Sequence, residues 1–172
     1  MAYDAKAVAN FFLDLAKEEK KNISPMKLQK LLFFAHGWNL ALFDEPLIAD
    51  AIEAWQFGPV VPSIYHEFKH LRSGAISSRA MSLDLENFKM FEPCLPSEAT
   101  QTKALLKRIW EAYGGMSAID LSNLTHADGS PWALAVAKFG ANTRRVPIND
   151  ESIRTYFKQQ AERNRAEQAV DA

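Results

Sequence analysis

The stretch "SPMKLQKLLFFAHGWNLALF", residues 24–43, constrains the fold more than any other part of this 172-residue chain. Ser24 is placed to cap a helix, and Pro25 to occupy its first turn, where a missing N–H costs nothing. Leu28, Leu31, Leu32, Ala35, Trp38 and Leu42 then recur at i, i+3, i+4 and i+7, the spacing of one continuous buried stripe. The lysines at 27 and 30 fall outside the stripe, on the polar side of the helix. Its apolar run is too short and too often interrupted by polar residues to cross a bilayer, which takes roughly 20 apolar residues.

Other helices are legible around it. Residues 4–19 set Val8, Phe11, Phe12 and Leu15 at helical spacing before "KEEKKN" ends the pattern. After "DEPL" the period shortens: in "IEAWQF", Ile52, Ala54 and Gln56 fall on one side and Glu53, Trp55 and Phe57 on the other, which reads as a short strand or hairpin. "GPVVP" should stop it, because neither proline can donate to a ladder. A third helix should run from Pro62 or Ser63 to about Arg72. Residues 73–96 carry mixed signals. A fourth helix follows Ser97 as cap and stops at Gly114-Gly115. Ser117 and Ser130-Pro131 open two short helices, with Asp128-Gly129 as the turn between them. The last helix starts at Asn149 or Asp150 and fades into a charged tail, residues 161–172, expected to fray. The reading is mainly α: a single compact domain over residues 1–160, of six to seven helices, with a small β-strand or hairpin element around residues 47–57.

Charge and cysteine usage narrow the function classes. With 20 basic and 21 acidic residues no global field exists to hold nucleic acid or an anionic membrane, so direct nucleic-acid binding is not expected. The single cysteine, Cys94, has no disulfide partner within the chain, and "MAYDAKAVANFF" lacks the plan of a secretory signal. A cytoplasmic protein is expected, without membrane contact.

One motif argues for chemistry. His66-Glu67-x-x-His70 has the spacing by which a helix offers two zinc ligands and a general base. The third ligand is missing from the extended pattern, whose glycine and histidine positions hold Ser73 and Ile76. Val61, Ile64, Phe68 and Leu71 form the apolar stripe of this helix, which turns both histidines away from the core. A partner-facing or solvated surface is the better reading, so no catalytic residue, metal or cofactor is assigned. His36, beside the buried stripe, and His126, at a helix end, read as hydrogen-bonded structural histidines.

Three stretches in order, "KLQKLLFFAHGW" (27–38), "AWQFGPVVPSIYHEFK" (54–69) and "LSNLTHADGSPW" (121–132), resemble the Panacea domain, also met as a phage-associated GepA-like protein. The resemblance covers about residues 4–160, with Gly58, Pro59, Val60, His126, Pro131 and Trp132 as its structural signature. It implies a non-enzymatic antitoxin of a toxin–antitoxin pair, whose partner is a cognate toxin encoded in the same operon. A zinc-dependent hydrolase and a regulator or proteolytic adaptor are the alternatives. For the contact surface the expected residues are Tyr65, His66, Lys69 and His70, with Trp55 and Phe57 as interface aromatics or core anchors, and Lys27 and Lys30 joining from the second helix.

Overall fold

The computed structural model describes residues 1–140 and 145–171, which form seven helices and five short strands. In chain order these are α1 (Ala5–Glu18), α2 (Pro25–Phe43), β1 (Glu53–Trp55), β2 (Gly58–Val60), α3 (Pro62–Phe68), β3 (Ser82–Asp84), β4 (Lys89–Phe91), α4 (Thr100–Tyr113), α5 (Ala118–Thr125), α6 (Pro131–Phe139), β5 (Val146–Pro147) and α7 (Asp150–Val170). The mainly α reading with a small β element is what the chain adopts. None of the described helices is long and apolar enough to cross a membrane.

α2 is the axis, and its capping is as read: the Ser24 hydroxyl accepts from the Lys27 N–H and Pro25 opens the first turn. A helix apolar on nearly every side is stable only when wrapped. Accordingly α1, α3, α4, α5 and α7 all pack on it. Leu28, Leu31, Leu32 and Ala35 are fully buried, while Leu42, read as the end of the stripe, is 49% exposed because the helix stops one residue later. α7 crosses α2 at Gly37, where the Phe157 ring leaves no room for a Cβ. That ring meets Phe33 and Trp38 edge-on at 5.6 and 5.3 Å, and burying it contributes about 2–3 kcal/mol.

One partly buried polar contact ties this pair together. The buried His36 lies 2.9 Å through Nε2 from Asp150 Oδ1, at the start of α7. Its Nδ1 accepts the Ile48 N–H, so the proton sits on Nε2. Burial lowers the His36 pKa and Asp150 opposes that shift. Asn149 caps α7 through the Ser152 N–H, and the helix then runs without a break through residues 161–170. Ala172, the end of the expected tail, lies outside the described residues, as do 141–144 within the expected domain.

The small sheet has the order β2-β1-β5, all antiparallel, with Ala54 opposite both Pro59 and Val146. "GPV" therefore does not stop the first strand but returns as its partner. Pro59 is tolerated because β2 is an edge strand, where one unpaired backbone position costs little. β5 was not legible, being two residues long. Gln56, expected beside Ile52 and Ala54, lies instead in the exposed turn of the hairpin.

Other boundaries differ for local reasons. The third helix ends as α-helix at Phe68 and tightens into a 3-10 turn, Lys69–Leu71, before Arg72 takes a positive φ of 55°. Ser97 caps nothing: α4 starts after Ala99, which makes no side-chain cap bond, and the Ser97 hydroxyl turns to Glu98. Ser117 and Ser130 cap α5 and α6 as expected. Residues 73–96, unreadable in the sequence, contain the β3–β4 hairpin.

Candidate protein-interaction surface

The three signature stretches converge on one buried cation. Lys30, expected on the polar side of α2, is 1% exposed, and this corrects its assignment as a contact residue. Its Nζ donates to the carbonyls of Phe57 at 2.7 Å and Pro59 at 3.4 Å, on either side of the hairpin turn. The reversal has a physical cause. β2 packs on α2 and brings with it the carbonyl of Phe57 from the turn and that of Pro59 from the strand, so an ammonium there gains acceptors that water would otherwise supply. With carbonyls rather than a carboxylate around it, burial pushes the Lys30 pKa down to about 7.

The late stretch closes the same site from the other side. Ser122 Oγ also donates to Phe57 O, at 3.2 Å, Thr125 Oγ1 donates to Ser122 O and Ser130 Oγ donates to Thr125 O. Trp132 Nε1 donates to the carbonyl of Trp55 at 2.6 Å and its ring stacks on His126, centroids 3.9 Å apart. Burial and the Lys30 cation lower the His126 pKa, with the Phe57 carbonyl opposing. Gly58 is the one residue that fits between these groups. Its φ is +113°, and a Cβ would press into Lys30 Nζ and lie 2.9 Å from Thr125 Oγ1. Gln29 completes the frame: Oε1 accepts the Val61 N–H at 2.8 Å and Nε2 donates to Val61 O, fixing the entry to α3, which has no side-chain cap.

This frame presents an aromatic surface. Phe57, at the tip of the hairpin, is 63% exposed. The half-buried Trp55 ring meets Tyr65 of α3 edge-on at 4.7 Å, and Tyr65 meets His66 at 5.4 Å. Lys69 and His70 are exposed in the following turn. Trp55, Phe57, Tyr65, His66, Lys69 and His70 thus lie along the hairpin and the α3 segment. Lys27 does not join them: it donates to Gly114 O and stands 5.8 Å over the Trp110 ring, tying the start of α2 to the end of α4.

The zinc spelling dissolves in the same geometry. The α-helix ends at Phe68, so His70 sits in the 3-10 turn and the two histidines do not share one α-helical face. Glu67 has both oxygens engaged, Oε2 with Lys6 Nζ at 3.0 Å and Oε1 with the Met81 N–H at 2.9 Å. A carboxylate bound in this way is a brace rather than a base. Among the described residues no three of His, Cys, Asp and Glu gather as a metal site.

Nothing in the sequence marks Ser122, Thr125 and Gln29 as members of this frame, and Ser130 reads only as the cap of α6; the one signal is a run of hydroxyls at the end of α5 and the start of α6, which reads equally well as ordinary capping.

The family model described as "Antitoxin SocA-like, Panacea domain" matches residues 28–133, a span that contains Lys30 and every group gathered around it. Antitoxin SocA from Caulobacter vibrioides (strain NA1000 / CB15N) is 37% identical over 139 residues, which cover 81% of this chain and 73% of that protein. No solved structure matches the chain at a significant level. With the match spanning the whole lysine-centred frame, the chain belongs to the SocA-like antitoxin family built on the Panacea domain.

Proposed function

We propose that this chain neutralises a cognate toxin by binding it directly, with the contact made by the β1–β2 hairpin and the outer side of α3. The toxin is a protein encoded beside it, and the encounter takes place in the cytoplasm. The observation that carries the reading is the exposed Phe57 at the tip of a hairpin fixed by a buried ammonium. An exposed aromatic on a backbone already fixed by hydrogen bonds needs no backbone ordering on docking, which suits an interface anchor. Tyr65 and Trp55 extend the apolar area, and His66, Lys69 and His70 supply its polar rim. The family assignment supports the antitoxin role, since the Caulobacter relative carries that name.

The test is co-expression with the product of the adjacent reading frame. Growth should fail when that product is expressed alone and recover with this chain, and the two should co-purify. Phe57→Ser combined with Tyr65→Ala should weaken the complex by about tenfold or more while the melting temperature stays unchanged. Full rescue and unchanged affinity in that variant would move the contact to another face. Absence of toxicity in the neighbour would sink the antitoxin reading.

A further inference from the structure

We infer that the β3–β4 hairpin is a second docking surface, which receives an extended apolar segment with basic flanks from the same toxin; this rests on the antitoxin reading above. Register places Leu83 opposite Met90, so these two side chains share one face of the hairpin. Both are exposed, and so are Leu85 and Phe88 in the connecting turn, at 75% and 79%. These four side chains make an exposed apolar patch on the order of a few hundred Å², while Phe91, paired with Ser82, faces the other side of the hairpin. This sheet has two strands, so one edge of each keeps its backbone groups unpaired among the described residues, ready to accept a third strand.

The hairpin is also held from below with unusual care. Asn10 of α1 is fully buried and spans both of its feet, accepting the Ala80 N–H at 2.7 Å and donating to Ala80 O and Pro93 O. Glu67 binds the Met81 N–H, and Arg79 lies 3.4 Å from both Asp14 and Glu92. A free two-stranded hairpin is marginal in water. Here buried polar groups fix its base while Leu85 and Phe88 stand largely in solvent and Leu83 and Met90 about half so. That is preorganisation for a ligand rather than core formation.

Charge chooses the occupant. Residues 82–92 carry Asp84, Glu86 and Glu92 against the single Lys89, and with Glu92 paired to Arg79 the acidic charge a partner meets is that of Asp84 and Glu86 in and beside the turn. A second copy would bring two such acidic segments together over less than the roughly 800 Å² per partner of a stable interface. A partner strand flanked by Lys or Arg meets both the apolar face and the acidic rim. Glu67 ties the foot of this hairpin to α3, the helix that carries Tyr65 and His66.

The experiment uses the full chain with the product of the adjacent reading frame. Leu85→Ser, Phe88→Ser and Met90→Ser together should lower affinity by about tenfold or more at an unchanged melting temperature, and Glu86→Lys should lower it by severalfold. Amides of residues 82–91 should gain hydrogen-exchange protection in the complex of the unaltered chain. Affinity within twofold in the triple variant, or no added protection, overturns the inference and leaves the antitoxin reading standing. A wild-type dimer that the triple variant dissociates overturns it in favour of a second copy. A neighbour product that wild type neither binds nor neutralises removes the antitoxin reading and this inference with it.

Discussion

Replacing Gly58 with alanine probes the lysine-centred frame at its tightest point. Two costs add. At φ +113° an L-residue is strained by about 1–3 kcal/mol. The new methyl group would also press into Lys30 Nζ, so the amine must withdraw from at least one of the Phe57 and Pro59 carbonyls; below about pH 7, where it is charged, such a bond is worth about 1.5–3 kcal/mol. The sum, about 2.5–6 kcal/mol, is a large part of the roughly 5–15 kcal/mol that holds a domain together. For a chain of this size it corresponds to a fall of about 10–20 °C in melting temperature. Gly129→Ala is the control. Gly129 has a φ of +74° and nothing within 4 Å of its would-be Cβ, so only backbone strain of about 1–2 kcal/mol applies. Thermal and urea unfolding of the two variants should therefore separate clearly, and in a Lys30→Met background Gly58→Ala should cost less because no charged bond remains to be broken. Equal losses in Gly58→Ala and Gly129→Ala would refute the account of Lys30 as the group that Gly58 makes room for.

The Lys30 charge also predicts a pH profile. Its pKa is near 7 folded and 10.5 unfolded, so between these values the unfolded chain binds the extra proton. The stability of the fold with Lys30 neutral is fully present above 10.5 and is lost as pH falls towards 7, by at most about 1.4 kcal/mol per pH unit. Urea titrations should show wild type gaining on Lys30→Met from pH 7 to 10, and a flat difference would contradict this. Gly37→Ala should cost about 2–4 kcal/mol in the same assay, because the new Cβ lands in the Phe157 ring where α7 crosses α2; a neutral effect would mean that the helices separate freely. Asn10→Leu should lose about 2–4 kcal/mol and release the amides at residues 80 and 93 to faster hydrogen exchange than those of α2, whereas uniform destabilisation would deny Asn10 its role as clamp.

Hydropathy period and capping chemistry, read from the sequence by itself, determined the helices. α2 between Ser24 and Phe43, α5 after Ser117, α6 after Ser130 and α7 after Asn149 are set by contacts within a few residues, and such contacts are written locally. The same holds for Trp55, Tyr65 and His66, which lie together because the hairpin and α3 are sequence neighbours joined by one turn. What only the tertiary structure decided is the fate of polar groups whose partners are distant in the chain. Lys30 reads as a surface residue until the Phe57 carbonyl, 27 positions away, is brought to it. Glu67 reads as a general base until Lys6, 61 positions away, and Met81 take its oxygens. Asn10 gives no sign that it holds Ala80 and Pro93. A period records how often a side chain faces the core, and it carries no term for an acceptor supplied by another segment. Where burial depends on such an acceptor, the residue's role is fixed only when the chain has folded.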